Sequence, residues 1–159
     1  MMGKSDAERR IDSAARLIAA PAETIYRAFV DGSAWERWLP PAGMIGRVEI
    51  FEPRVGGRYR MVLTYRGDHE NRGKTAENMD IVEGRFIEFA HDEKAVHAVT
   101  FESEDPAFAG DRRMTWSLSP APAGTELTIT CENVPFGISK ADHDVGLRST
   151  LANLATFME

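Results

Sequence analysis

The last twenty-one residues, Ser139 to Glu159, read SKADHDVGLRSTLANLATFME, and they decide the fold. Ser139 followed three residues later by Asp142 is a capping box with Asp in place of the usual Glu. Asp142 and Asp144 also put negative charge at the end where a helix dipole is positive. Beyond that start, Leu147, Leu151, Leu154, Ala155 and Met158 recur at spacings of four, three, one and three, one apolar stripe at helical period. A closing helix with such a stripe needs an apolar surface to cover. The strands upstream are expected to supply it as a curved antiparallel sheet.

Taken in order, Arg9 to Ala19 alternate, with Ile11, Ala15, Leu17 and Ala19 on one side and Asp12 and Arg16 on the other, which predicts a first strand. Pro21 opens a helix whose apolar face, Ile25, Tyr26, Ala28 and Phe29, runs up to Asp31-Gly32. A second short helix starts at Ser33, with Glu36 three residues on as a capping box, and ends at Pro40-Pro41. Strands follow over Arg47 to Glu52 and Arg58 to Arg66. The second of these is the clearest, with Tyr59, Met61, Leu63 and Tyr65 on one face and Arg58, Arg60, Thr64 and Arg66 on the other. Gly67 to Asn78 is polar and aperiodic and reads as a loop. Ile81 to Phe89 breaks parity, and a bulge at Gly84 would reconcile it. Ala95 to Glu102 and Arg112 to Ser119 are further strands, the latter turning Arg112, Met114, Trp116 and Leu118 inward. The last strand does the same with Leu127, Ile129 and Cys131. Strand, two helices, six strands and a long helix make an α+β domain with its helices on one side of a single sheet.

The 159 residues suit one domain, with residues 1–8 read as a disordered lead-in. No apolar run approaches the ~20 residues that span a bilayer, and Met1 to Arg10 lack the apolar core of a secretory signal. The formal charge of -6 argues against a nucleic-acid partner. Cys131, the sole cysteine, fits a reducing compartment, and the cytoplasm is the expected location.

Several stretches in the right order resemble one family. They are Trp35-Glu36-Arg37-Trp38-Leu39-Pro40, Arg54-Val55-Gly56-Gly57-Arg58-Tyr59, Gly84-Arg85-Phe86, Asp105-Pro106-Ala107-Phe108-Ala109-Gly110, Met114-Thr115-Trp116 and Asp142-His143-Asp144-Val145-Gly146-Leu147. Together they are similar to the SRPBCC (START-like) superfamily, in the branch related to the C-terminal domain of the activator of Hsp90 ATPase. The resemblance implies a helix-grip fold, a seven-stranded antiparallel sheet around the C-terminal helix with a cavity between. Two positions depart from the pattern: Arg112 stands where relatives commonly have an apolar residue, and His91 where they often have proline. Arg112 shares the inward parity of Met114 and Trp116, which gives the cavity a cationic end unless the side chain reaches solvent.

No phosphate-binding Gly-rich loop, His-Glu-x-x-His, paired-Cys motif or nucleophile elbow is present, and no cofactor is expected. Asp142-His143-Asp144 are helix neighbours pointing some 100° apart, so capping is favoured over metal binding. His69 and His91 fall in a loop and a turn. His97 is the histidine on an inward face, either a satisfied core residue or a polar contact to ligand. Trp35, Trp38, Tyr59, Tyr65, Phe101 and Trp116 make either a ligand box or a core. Met44, Met61, Leu63, Leu147 and Leu151 complete the expected lining, with Arg112 as its charge. The leading expectation is a binding protein for a small, largely apolar or aromatic molecule, acting alone or as a homodimer. A cyclase-like or aromatase-like enzyme using His97, Tyr65 and Arg112 is the alternative. A stimulator of a chaperone ATPase is the third reading, disfavoured because the Hsp90 activators carry an additional N-terminal domain for which this chain has no room. The Trp35 to Met44 segment, with Trp38 and Leu39, is expected to form a movable rim over the cavity.

Overall fold

The computed structural model describes residues 10–40, 43–65, 79–103, 105–108 and 110–158, with the side chain of Phe101 outside that set. The expected loop Gly67 to Asn78, His69 within it, and residues 1–8 lie outside the described residues. The elements are β1 (Arg10–Ile18), α1 (Ala22–Phe29), α2 (Gly32–Trp38), β2 (Met44–Phe51), β3 (Arg58–Tyr65), β4 (Met79–Ala90), β5 (Lys94–Phe101), β6 (Arg112–Ala121), β7 (Gly124–Val134) and α3 (Lys140–Met158), with one 3-10 turn at Pro106–Phe108.

The seven strands form one sheet in the order β1-β7-β6-β5-β4-β3-β2, and every pairing is antiparallel. From β2 to β7 the chain is a meander of neighbours, while β1 crosses to the far edge and pairs with β7. The helices lie over the inner face, as in a helix-grip fold, and α3 runs closest to β1 and α2. Its stripe is Leu147, Thr150, Leu151, Leu154 and Ala155, all buried. The Ser139 hydroxyl accepts the Asp142 N–H at 3.0 Å, so the first turn is capped as the sequence predicts.

Four local expectations are corrected. In β1 the alternation has the opposite sense: Ile11 and Leu17 are 58% and 49% exposed, whereas Asp12 is 1% and Ile18 0%. Charge pairing decides this, because a partner inside the fold claims Asp12. The cap of α2 is Asp31, not Ser33. Its carboxylate accepts the N–H groups of Ser33 and Ala34, while Glu36 accepts the Val48 N–H at 2.7 Å and ties α2 to β2. Strand β2 begins at Met44, three residues earlier than predicted, and pairs Met44 with Tyr65. The bulge in β4 falls between Phe86 and Glu88, not at Gly84. Gly84 answers a different demand: a Cβ there would stand 2.4 Å from the Tyr59 ring and 2.3 Å from the Ala98 carbonyl oxygen.

Candidate ligand site

Rings occupy the middle of the space between sheet and helices. Trp35, Trp38 and Trp116 are each at most 1% exposed. They pack edge-on with one another and with Phe29, Phe51, Tyr59 and Phe86, the arrangement that suits aromatic quadrupoles. Each indole on α2 spends its N–H on a carbonyl of α1: Trp35 donates to Phe29 O at 2.9 Å and Trp38 to Ala28 O at 3.2 Å. Trp38 is therefore core and no movable rim. The segment after it is anchored as well, since Thr150 donates to Leu39 O and Asn153 to Pro40 O from α3.

Two buried polar chains run through this interior. In the first, Tyr59 Oη meets His97 Nδ1 at 2.7 Å, and Trp116 Nε1 donates to His97 Nε2 at 2.9 Å. The sheet register makes the meeting possible. His97 lies opposite Met114, and Tyr59 opposite Gly84, whose missing side chain lets the Tyr59 ring lie across it toward β5. Burial, helped by the charge of Arg112, pulls the His97 pKa down to about 3, so the imidazole is neutral. Burial likewise pushes the Tyr59 phenol well above its ordinary value.

The second chain joins three elements distant in sequence. Arg112 Nη1 bonds His143 Nε2 at 2.8 Å, and His143 Nδ1 bonds Asp12 Oδ2 at 2.6 Å. Arg10 reaches the same carboxylate at 2.9 Å, and the Lys140 ammonium lies 3.8 Å from its other oxygen. Burial alone would raise the Asp12 carboxyl, but the hydrogen bonds from His143 and Arg10 hold it below its usual range. Burial and the nearby Arg112 lower His143. A neutral imidazole then donates through Nδ1 to Asp12 and accepts through Nε2 from the guanidinium. Arg10 and Lys140 thus flank the carboxylate directly, while Arg112 stands one histidine away and carries positive charge toward the inner face.

Asp12 and His143 escaped the sequence reading, although one signal was present. His143 precedes Leu147 by four residues and so belongs to the buried stripe of α3. Asp12 carried no comparable signal, because its neighbours Ile11 and Leu17 are apolar and face out. Of the groups proposed for catalysis, His97 is held at both nitrogens, Arg112 bonds His143, and Tyr65 lies 3.5 Å from Asp80 Oδ2. Among the described residues, no three His, Cys, Asp or Glu side chains converge as metal ligands. Cys131 is buried, and burial lifts its thiol to about 11, which makes it a poor nucleophile.

Access is uneven along β3. On its inner face Tyr59 and Met61 are shut in, yet Leu63 and Tyr65 are only partly buried, beside buried Met44 on β2 and buried Asp80 on β4. The N-terminal turn of α3 is near, since the Asp142 charge is felt at the Tyr65 hydroxyl. On the opposite side of the sheet lies an open depression of about 360 Å³ lined by residues that include Arg58, Arg60, Glu83, Arg85 and Thr100. There Arg60 pairs with Glu49, Glu83 and Glu102, so charged side chains dominate a surface that Ile50 and Ala98 also line.

The Activator of Hsp90 ATPase homolog 1-like protein family matches the chain over residues 19–159. The chain belongs to this family. A crystal structure of a Chromobacterium violaceum protein is similar at 30% identity, with a TM-score of 0.83, covering 94% of this chain and 96% of that one. A Rhodobacter sphaeroides protein shares 20% identity with a TM-score of 0.70, over 91% of this chain and 89% of that one. An AHSA1-like protein from Aeromonas hydrophila, at 15% identity and a TM-score of 0.70, covers 93% and 91%. The last two show the shared fold. A comparison with curated proteins finds no match. Among the described residues no helix is long and apolar enough to cross a membrane.

Proposed function

We propose that this AHSA1-like protein binds a small, largely apolar molecule between the inner face of the sheet and α3, in the cytoplasm. The supporting observation is the contrast along β3: Leu63 and Tyr65 point inward yet stay accessible, whereas Tyr59 and Met61 on the same face are closed. A ligand entering at this end, between Met44 and the first turn of α3, would cover Leu63 and Tyr65 and meet the charge of Arg112 deeper in. Trp35, Trp38 and Trp116 form the packed floor behind it, and Leu147 and Leu151 the roof. The cyclase-like reading loses its motivation, because His97, Tyr65 and Arg112 are all engaged with other side chains. As for the family's name, no feature of the inner face argues for chaperone stimulation, and an ATPase assay with purified Hsp90 should show none.

The test is a thermal-shift screen against lipids and aromatic polyketide-like compounds, with native mass spectrometry to confirm stoichiometry. Binders should raise Tm in the parent, and Leu63→Asp, at a position only partly exposed and packed on the core, should abolish the shift when each variant's Tm is compared with and without compound. A shift that survives Leu63→Asp would put the ligand elsewhere, and a screen without binders would remove the proposal.

A further inference from the structure

The proton positions in the Tyr59–His97–Trp116 chain follow from which groups can donate. An indole N–H only donates, so His97 Nε2, 2.9 Å from Trp116 Nε1, must be the bare, accepting nitrogen. A neutral imidazole has one proton, which therefore sits on Nδ1 and points at Tyr59 Oη, 2.7 Å away. The phenol oxygen is thereby the acceptor of that bond, and its own hydrogen must be directed elsewhere. Tyr59 is 3% exposed, and its hydroxyl makes no second hydrogen bond among the described residues. The inner face thus holds a buried O–H donor with no acceptor among the described residues, a condition folded proteins seldom leave unmatched.

The surroundings say what would match it. Sheet register places Tyr59, Gly84, Val99 and Arg112 in one row across β3, β4, β5 and β6. The Tyr59 ring lies in the space left by Gly84, and buried Val99, with its short side chain, stands between that row position and Arg112. The Arg112 charge is felt at both Tyr59 and His97. Among the described residues no carboxylate is bonded to Tyr59 or His97, and Asp12 stands behind His143.

We propose that the Tyr59 hydroxyl, backed by the positive charge of Arg112, receives an oxyanion of the ligand, which makes the preferred ligand an amphipathic monocarboxylate with its chain directed toward Met61 and Leu63. This rests on the reading that ligand occupies the space between sheet and α3, and deepens it by naming the ligand's polar end.

The experiment titrates the full chain with decanoate and with methyl decanoate, following tryptophan fluorescence and calorimetry, for the parent and for Tyr59→Phe. The parent should prefer the carboxylate. Tyr59→Phe should weaken decanoate at least about tenfold, as expected for a lost hydrogen bond to a charged group, and leave the ester nearly unchanged. Equal affinity of parent and Tyr59→Phe for decanoate, or equal losses for acid and ester, would overturn the oxyanion site while leaving the ligand-binding reading intact. Failure of the parent to bind either compound would count against that underlying reading as well. Because Tyr59→Phe also removes the acceptor of His97 Nδ1–H, two measurements on the parent stand beside it. Imidazole nitrogen NMR should show His97 protonated at Nδ1 and bare at Nε2, and the opposite tautomer would refute the argument. The carboxyl carbon of bound, labelled decanoate should stay ionised at a pH where the free acid is half protonated, and a bound carboxyl titrating like the free one would refute it too.

Discussion

Replacing His97 by Gln should flatten the acid side of the stability profile. His97 has its pKa pulled down to about 3 by burial and by Arg112, against an ordinary unfolded value of ~6.5. Below pH ~6.5 the unfolded chain takes up a proton that the folded chain refuses, so stability is lost as pH falls, and the loss continues until pH reaches about 3. Each pH unit in that window costs about 1.4 kcal/mol, which amounts to about 2.5 kcal/mol between pH 7 and pH 4.5. For a domain of this size that corresponds to roughly 5–10 °C in Tm. Gln is the informative replacement because its amide can still accept from Trp116 and donate to Tyr59, yet does not titrate. His143 is also lowered, and Asp12 also titrates, but both remain in parent and variant and cancel in the difference. Urea unfolding at several pH values from 7 to 4.5 reads the effect directly. The parent should fall more steeply than His97→Gln by about 1.4 kcal/mol per unit. Parallel profiles would show that His97 accepts a proton in the folded state, and the buried hydrogen-bond chain would then be misdrawn.

Gly84→Ala should lower the urea midpoint by an amount equivalent to about 2–3 kcal/mol, because its Cβ meets the Ala98 carbonyl at 2.3 Å, backbone that cannot step aside. Trp38→Ala should cost about 3–5 kcal/mol in equilibrium unfolding, the loss for a buried core ring and far more than a surface lid would give. Asp12→Asn should destabilise by about 3 kcal/mol, since Arg10, His143 and Lys140 lose the charge on which they converge; the same unfolding assay should show the loss shrinking as pH falls and the parent's own carboxylate protonates.

Most of the architecture was legible because it is written in periods. The stripe through Leu147, Leu151 and Leu154 is buried as its period predicts, and the alternation along β3 holds through Tyr59 and Met61, with Leu63 and Tyr65 only partly buried. The misreadings share a cause: they occur where a tertiary partner overrides a local preference. Asp12 turned a strand over because His143, 131 residues away, needed an acceptor. Glu36 left the capping box for the backbone of β2, and Asp31 took over as cap. Trp38 stood before two prolines and read as a rim, but Phe29 and Trp116 close around it. The site was legible only as composition. That inward aromatic residues would gather was visible, while the order of the hydrogen bonds among Tyr59, His97 and Trp116 depends on cross-strand register and on the space left at Gly84.

The pairing of β1 with β7 carries a consequence for how the chain is made. A ribosome releases β1 first, yet its neighbour in the sheet begins at Gly124, and the histidine that holds Asp12 inward is on the final helix. Strands β2 to β7 join sequential neighbours and can zip up hairpin by hairpin, each closing a modest loop. Until β7 has been made, β1 therefore waits as an unpaired segment with Ile11 and Leu17 along one side, the kind of strand that invites association with other chains. Closure of the domain is then a late event in which the first strand and the last helix dock together, and nascent chains stalled before His143 should be the species that chaperones hold longest.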